Sequence, residues 1–242
     1  MTAKDGIEPM KKAAVKLSVR EKLGYGLGDT ASHFVWDMVG FWILIFYTDT
    51  FGISAAAAGT ILLVARLWDM ASDPLMGVIA DRTTTRWGKF RPYLLWVALP
   101  YSVLAVMAFS TPDFGPTGKV VYATITYLLL MTAYTAINLP YSSLGAVMTG
   151  DGYERASLNT YRFVCAFGGQ LVVTGLALTL AGFLGGGNDA KGYHLTLSIF
   201  GAVSFVLFMI AFASTKERIQ PPITQRSSVR DDLRILLTNT PW

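Results

Sequence analysis

The sequence is poor in charge, cysteine and histidine. Only 15% of its 242 residues are Asp, Glu, Lys or Arg, whereas a soluble domain carries about a quarter. The single cysteine excludes a disulfide framework, and the two histidines, His33 and His194, are too far apart for a zinc motif. The net charge is +4, but the basic residues are not interleaved with aromatics on a polar chain, so nucleic-acid binding is not expected. Motifs for nucleotide binding or nucleophilic catalysis are missing as well, which argues against an enzyme.

Long apolar runs are what the sequence has instead. A bilayer core of about 30 Å is crossed by about 20 apolar residues in a helix, and hydrocarbon forces every backbone polar group into internal hydrogen bonds. The sequence therefore predicts an all-α integral membrane protein with a cytoplasmic tail (1–22), a six-helix transmembrane domain (23–213) and the start of a cytoplasmic linker (214–242). The six predicted spans are 24–48, 54–80, 93–111, 120–148, 157–184 and 193–213.

The distribution of lysine and arginine predicts the orientation. Sixteen of the twenty basic residues lie in the two tails and in the loops after the second and fourth spans. The opposite side has only Lys119 and Lys191, and Arg66 and Arg162 fall inside spans. Cytoplasmic segments carry the excess of positive charge. We therefore expect a multi-pass protein of a bacterial inner membrane, surrounded by lipid, with both termini cytoplasmic.

The second span contains charges that lipid disfavours. Asp69 and Asp73 are spaced i, i+4 and share a helix face, and Arg66 precedes them on the same side. Two close carboxylates repel each other unless a proton or a cation lies between them, which is the chemistry of a coupling-ion site. The alternative is that Arg66 and Asp69 form a structural ion pair.

The first span carries Asp29, His33 and Asp37 at the same spacing. Histidine titrates near neutrality, so His33 could relay protons; a packing role with hydrogen bonds is the alternative. Asp29 could equally be solvated near the cytoplasmic surface.

Polar side chains also cluster in the fourth and fifth spans. Hydroxyl, amide and aromatic groups together suit a sugar, although hydroxyls also support helix packing in membranes. Arg162 in the fifth span could snorkel to the surface or project inward as a fork for substrate. The residues of the fourth span are Tyr134, Thr135, Asn138, Pro140, Tyr141, Ser142 and Ser143.

The sequence resembles one family of carriers. The run Asp-Pro-Leu-Met-Gly-Val-Ile-Ala-Asp-Arg (73–82), followed by Trp-Gly-Lys-Phe-Arg-Pro (87–92), is similar to the signature of the glycoside–pentoside–hexuronide:cation symporters, the melibiose-permease-like branch of the major facilitator superfamily. Further matches are Leu-Gly-Tyr-Gly-Leu-Gly-Asp (23–29), Phe-Tyr-Thr-Asp (46–49), Val-Ala-Arg-Leu-Trp-Asp (64–69) and Leu-Pro-Tyr (139–141). They occur in the family's order along nearly the whole chain.

The resemblance implies roles for individual residues. Asp69, Asp73 and Thr135 would bind the coupling cation, H⁺ or Na⁺, and no other cofactor or metal is implied. A loop latch on the cytoplasmic side would comprise Gly77, Asp81, Arg82, Gly88, Lys89 and Arg91. The sugar-site candidates are His33, Asp37, Asn138, Tyr141, Ser142 and Arg162.

Three of these positions depart from melibiose permease. His33 and Asn138 stand where it has acidic sugar ligands, and Ser142 stands where it has an aromatic platform. The differences favour another sugar, and they favour protons over Na⁺ because an imidazole offers Na⁺ no hard oxygen.

The resemblance also implies that a partner is needed. Family members have twelve helices in two halves with the substrate between them, and this chain corresponds to the N-terminal half, ending in the central linker. We therefore expect sugar:cation symport by alternating access together with a missing C-terminal half. The alternatives are a non-transporting six-helix accessory or assembly subunit, or an inactive truncated fragment.

Overall fold

The computed structural model describes residues 16–219, which are almost entirely helical. The predicted basic tail and linker lie mostly outside the described residues. The helices are α1 (Val19–Ile45), α2 (Ala55–Arg82), α3 (Arg91–Trp96), α4 (Ala98–Ala108), α5 (Pro116–Met148), α6 (Gly152–Gly185) and α7 (Asp189–Ser214). A π-helical turn, Phe46–Thr50, extends α1. The all-α prediction is confirmed.

Five of the helices are long and apolar enough to cross a bilayer, and α4 is a shorter apolar helix. The third crossing consists of α3 and α4, which meet at Val97. Pro100 has no N–H to donate to the carbonyl of Trp96, the last residue of α3. The proline therefore accounts for the break at this point, which the sequence-based span did not include.

Local sequence sets where several helices begin. Ser18 and Glu21 form a capping box at the start of α1, which therefore begins before the predicted span. The side chain of Asp151 accepts hydrogen bonds from two backbone N–H groups of α6, and that of Asn188 accepts one from α7. These caps satisfy N–H groups that have no partner within the helix.

The packing places α1 at the centre of one group of helices. It contacts α6 and α7 along its length, α4 packs between α5 and α7, and α2 packs mainly on α5. Glycines permit the close approach of α1 and α6: a Cβ on Gly26 would lie 3.0 Å from the carbonyl oxygen of Tyr161, and a Cβ on Gly169 would lie 2.9 Å from Thr30. The backbones of α1 and α6 therefore lie close together at these glycines.

Candidate functional site

A cavity of about 330 Å³ lies between α1, α5 and α6. Its wall combines charged, amide and hydroxyl groups with aromatic rings, the mixture that small polar ligands need. The residues that line it are Asp29, Ser32, His33, Trp36, Tyr134, Asn138, Arg162, Phe163, Ala166 and Phe167. Three of the sugar-site candidates, His33, Asn138 and Arg162, therefore lie together.

An ion pair joins α1 to α6 in this cavity. The Nε atom of Arg162 lies 2.9 Å from Oδ2 of Asp29, and its Nη2 atom lies 3.4 Å from Oδ1. The guanidinium also lies 5.3 Å from the ring centre of Tyr141. Arg162 thus projects inward and does not snorkel. Asp29 is buried, and sequence reasoning left it out of the candidate site, although its position one turn before His33 pointed to it.

A second polar pair lies one turn further along α1. The Nδ1 atom of His33 is 3.1 Å from both carboxylate oxygens of Asp37. When the carboxylate is ionised it only accepts hydrogen bonds, and Nδ1 of His33 is then the donor. His33 faces the cavity, whereas Asp37 is buried behind it and only 4% exposed. A ligand in the cavity would therefore contact the imidazole of His33, and the carboxylate of Asp37 would lie behind that imidazole.

Two stacked aromatic rings form another part of the wall. The ring centres of Trp36 and Tyr134 are 4.0 Å apart and the rings are inclined by 12°. The side-chain amide of Asn138 donates a hydrogen bond of 3.1 Å to the hydroxyl of Tyr134, which fixes the edge of the stack. Trp36 was not among the candidates, and its sequence signal was its position three residues after His33. The stack offers a flat apolar face beside hydrogen-bonding groups.

Tyr141 and Ser142 do not line the cavity. Tyr141 is fully buried: its hydroxyl donates to the carbonyl of Tyr25 at 2.6 Å, and the two rings stack at 4.7 Å. Ser142 is exposed. Tyr141 therefore packs against the guanidinium of Arg162 and has no surface exposed to the cavity.

The coupling-ion candidates lie between α2 and α5. The hydroxyl of Thr135 donates a hydrogen bond of 2.9 Å to Oδ1 of Asp73. Arg66 approaches Asp69 only loosely, with 4.0 Å between Nη1 and Oδ2. The other oxygen of Asp69, Oδ1, is buried and has no hydrogen-bond partner within residues 16–219. No group of three or more His, Cys, Asp or Glu side chains suited to a metal occurs in that range.

The loop between α2 and α3 is tied to the segment after α7. Asp81 pairs with Lys89 at 2.8 Å. The carboxylate of Glu217 accepts hydrogen bonds from the backbone N–H groups of Lys89, Phe90 and Arg91 at 2.8, 2.7 and 2.9 Å. Together the three bonds hold the start of the third crossing to the end of the sixth.

The remaining loop candidates take different positions. The guanidinium of Arg91 donates to the carbonyl of Phe212 at 2.7 Å, which adds a second link to α7. Gly88 has a φ of +114°, a conformation that favours glycine. Gly77 is partly buried and Arg82 is exposed. Glu217 was not predicted, because nothing local marks a residue beyond the sixth span as the partner of this loop.

Comparison with known proteins shows which family and which individual proteins this chain is similar to. A family described as MFS/sugar transport protein matches residues 24–242. The inner membrane symporter YicJ of Escherichia coli (strain K12) is 47% identical over 93% of this chain and 49% of its own length. The isoprimeverose transporter of Lactiplantibacillus pentosus is 38% identical over 92% of this chain and 47% of its own. The glucuronide carrier protein homolog of Escherichia coli (strain K12) is 36% identical over 93% of this chain and 50% of its own length.

The chain spans about half the length of the curated relatives that it matches. The relatives are named as a symporter, a transporter and a carrier, so the chain is similar over half their length to membrane transport proteins, and none of the three is named as an enzyme. The predicted resemblance to the glycoside–pentoside–hexuronide:cation symporters is confirmed.

Proposed function

The chain belongs to the MFS/sugar transport protein family, and from this we propose that it forms the N-terminal half of a sugar:cation symporter that works by alternating access. The cavity between α1, α5 and α6 is this half's share of the sugar site. Asp69, Asp73 and Thr135 are its cation site. The carrier lies in a bacterial inner membrane with both ends of this half on the cytoplasmic side.

The observation that carries the proposal is the arrangement on α5. Thr135, which bonds Asp73, directly follows Tyr134, which lines the cavity. Consecutive helical residues point about 100° apart, so neighbouring faces of one helix serve the two sites. A shift of α5 that follows cation binding would therefore move the wall of the sugar cavity.

The carboxylates of α2 supply the electrostatic reason for cation binding. Asp69 and Asp73 are one turn apart and repel each other while both are ionised. The buried Oδ1 atom of Asp69 lacks a hydrogen-bond partner within residues 16–219, and an unpaired buried carboxylate oxygen is unfavourable. A proton or Na⁺ as co-substrate would remove both penalties.

The side chains at the cation site are compatible with either H⁺ or Na⁺. The ligand atoms there are oxygens of Asp69, Asp73 and Thr135, which suit both cations. His33, the residue that favoured protons, forms its hydrogen bond with Asp37 in the other cluster. Its imidazole therefore bears on sugar binding more directly than on cation binding.

The sugar site would use three kinds of contact. The Trp36–Tyr134 stack would hold the C–H face of a pyranose ring. Asn138 and His33 would bond hydroxyl groups at the ring edge, and the free N–H groups of Arg162 would add directional donors. The second six-helix half would close the cavity from the other side, as in other carriers built from repeats.

Transport in proteoliposomes tests the proposal. The full-length carrier that contains this chain is reconstituted, and uptake of labelled glycosides is measured with a Na⁺ gradient, with a pH gradient and with neither. We expect accumulation with one of the gradients and its loss in Asp73→Asn. The matched control is Asp113→Asn, because Asp113 is an exposed loop carboxylate. Equal accumulation in the parent and in Asp73→Asn would contradict the cation site.

A further inference from the structure

The charges around the sugar cavity bear on whether the transported sugar is itself charged. Within residues 16–219, four side chains in or directly behind its wall are acidic or basic: Asp29, His33, Asp37 and Arg162. The other polar groups of the wall, on Ser32, Trp36, Tyr134 and Asn138, are uncharged: hydroxyls, an indole N–H and an amide. The charge balance of this half of the cavity therefore depends on those four residues.

Arg162, the one arginine that lines the cavity in the described part of the chain, is already neutralised. Asp29 occupies two donor positions of Arg162, Nε and Nη2, in a bidentate pair. The pair is largely buried, with side-chain exposures of 23% for Arg162 and 11% for Asp29. Arg162 can still donate hydrogen bonds through Nη1, but its positive charge is balanced before a ligand enters.

Asp37 adds a carboxylate that no arginine or lysine pairs with in the described structure. Its contact is His33, at 3.1 Å from both oxygens. With a neutral imidazole the four residues sum to one negative charge, and with a protonated imidazole they sum to zero. In neither state does this half of the cavity carry a net positive charge, which an anionic ligand would need.

We infer that the cavity selects uncharged glycosides over uronides and other anionic sugars, and that Asp37, through His33, sets this preference. The inference rests on the proposed sugar transport. Among residues 16–219, an anion in the cavity would meet the buried carboxylate of Asp37 and no unbalanced cation. Rejection by an unfavourable charge is an efficient source of specificity. The aromatic stack is compatible with an uncharged ring, since it needs only C–H groups to contact.

Matched sugar pairs test the inference. The probes are p-nitrophenyl β-D-glucoside and β-D-glucuronide, together with the corresponding galactoside and galacturonide, which differ only at C6 within each pair. Uptake of each is measured in proteoliposomes with the full-length carrier. We expect the uncharged member to be preferred by at least about tenfold. Preference for the charged member, or equal uptake, would overturn the inference and leave sugar transport intact.

Two variants each remove one negative charge from the cavity, at different residues. Asp37→Asn removes the carboxylate that has no arginine or lysine partner, and Asp29→Asn releases the charge of Arg162. Each should lower the ratio of uncharged to charged uptake by about tenfold, whereas Asp113→Asn should leave it unchanged. A variant that only disturbs folding lowers both rates and keeps their ratio. An unchanged ratio in both variants would contradict the inference, and no uptake of any probe by the parent would overturn the proposed function as well.

Discussion

Glu217 offers a test of how the cytoplasmic side of the fold is held together. Its carboxylate accepts three backbone hydrogen bonds from the loop that starts the third crossing, at 2.7–2.9 Å. Glu217→Gln keeps the size of the side chain, but it removes the charge and turns an NH₂ group toward a backbone N–H. Hydrogen bonds to charged groups each contribute about 1.5–3 kcal/mol when buried.

The site is only partly buried, and water can replace some of the lost bonds. We therefore expect a loss of about 2 kcal/mol, less than the sum of three buried bonds. For a chain of this size that corresponds to a fall in Tm of about 4–8 °C. The measurement is thermal unfolding of the purified chain in detergent, beside Asp113→Asn as control. A Tm within about 1 °C of the parent would refute the reasoning.

Three further outcomes are expected. Asp73→Asn should retain sugar exchange down a gradient while losing accumulation, because the carboxylates of Asp69 and Asp73 do not line the sugar cavity; loss of exchange and accumulation together would count against this. A reporter active only in the periplasm should work when fused after Gly187 and fail after Thr84, and the reverse pattern would contradict the orientation. Trp36→Ala should weaken sugar binding about tenfold and Trp36→Phe much less, as measured by competition for uptake; equal effects would exclude a stacking role.

Sequence alone predicted the helical class and an apolar span where each of the six crossings lies, because runs of about 20 apolar residues in lipid have few alternatives. It did not predict the break at Val97, since one proline near the end of a span can produce a kink, a break or neither. The start of α1 was placed after Lys22, but Lys22 lies inside the helix and pairs with Glu154 of α6 at 2.8 Å. A basic residue next to a span therefore does not mark its end when an acidic partner is packed against it.

The candidate site was predicted less completely, because rotation of a helix about its axis is decided by packing. Arg162 could face either the interior or the surface on sequence grounds, and the close approach of α1 and α6 turns it onto Asp29. The packing of α5 against α1 buries Tyr141 on Tyr25, although the motif alone suggested Tyr141 as a ligand. Glu217 could not be found at all, because its partners are backbone N–H groups more than 120 residues away.

The central claim is that cation binding at Asp69 and Asp73 and sugar binding in the cavity are coupled through this half of the carrier. The most direct test is to measure the Kd for sugar with and without the cation, and the Kd for the cation with and without sugar, on the purified full-length carrier. Linkage requires both ratios to be the same, and coupling of this kind is usually about 5–150-fold. The account predicts equal ratios in this range that fall to one in Asp73→Asn. Ratios of one in the parent protein would contradict it.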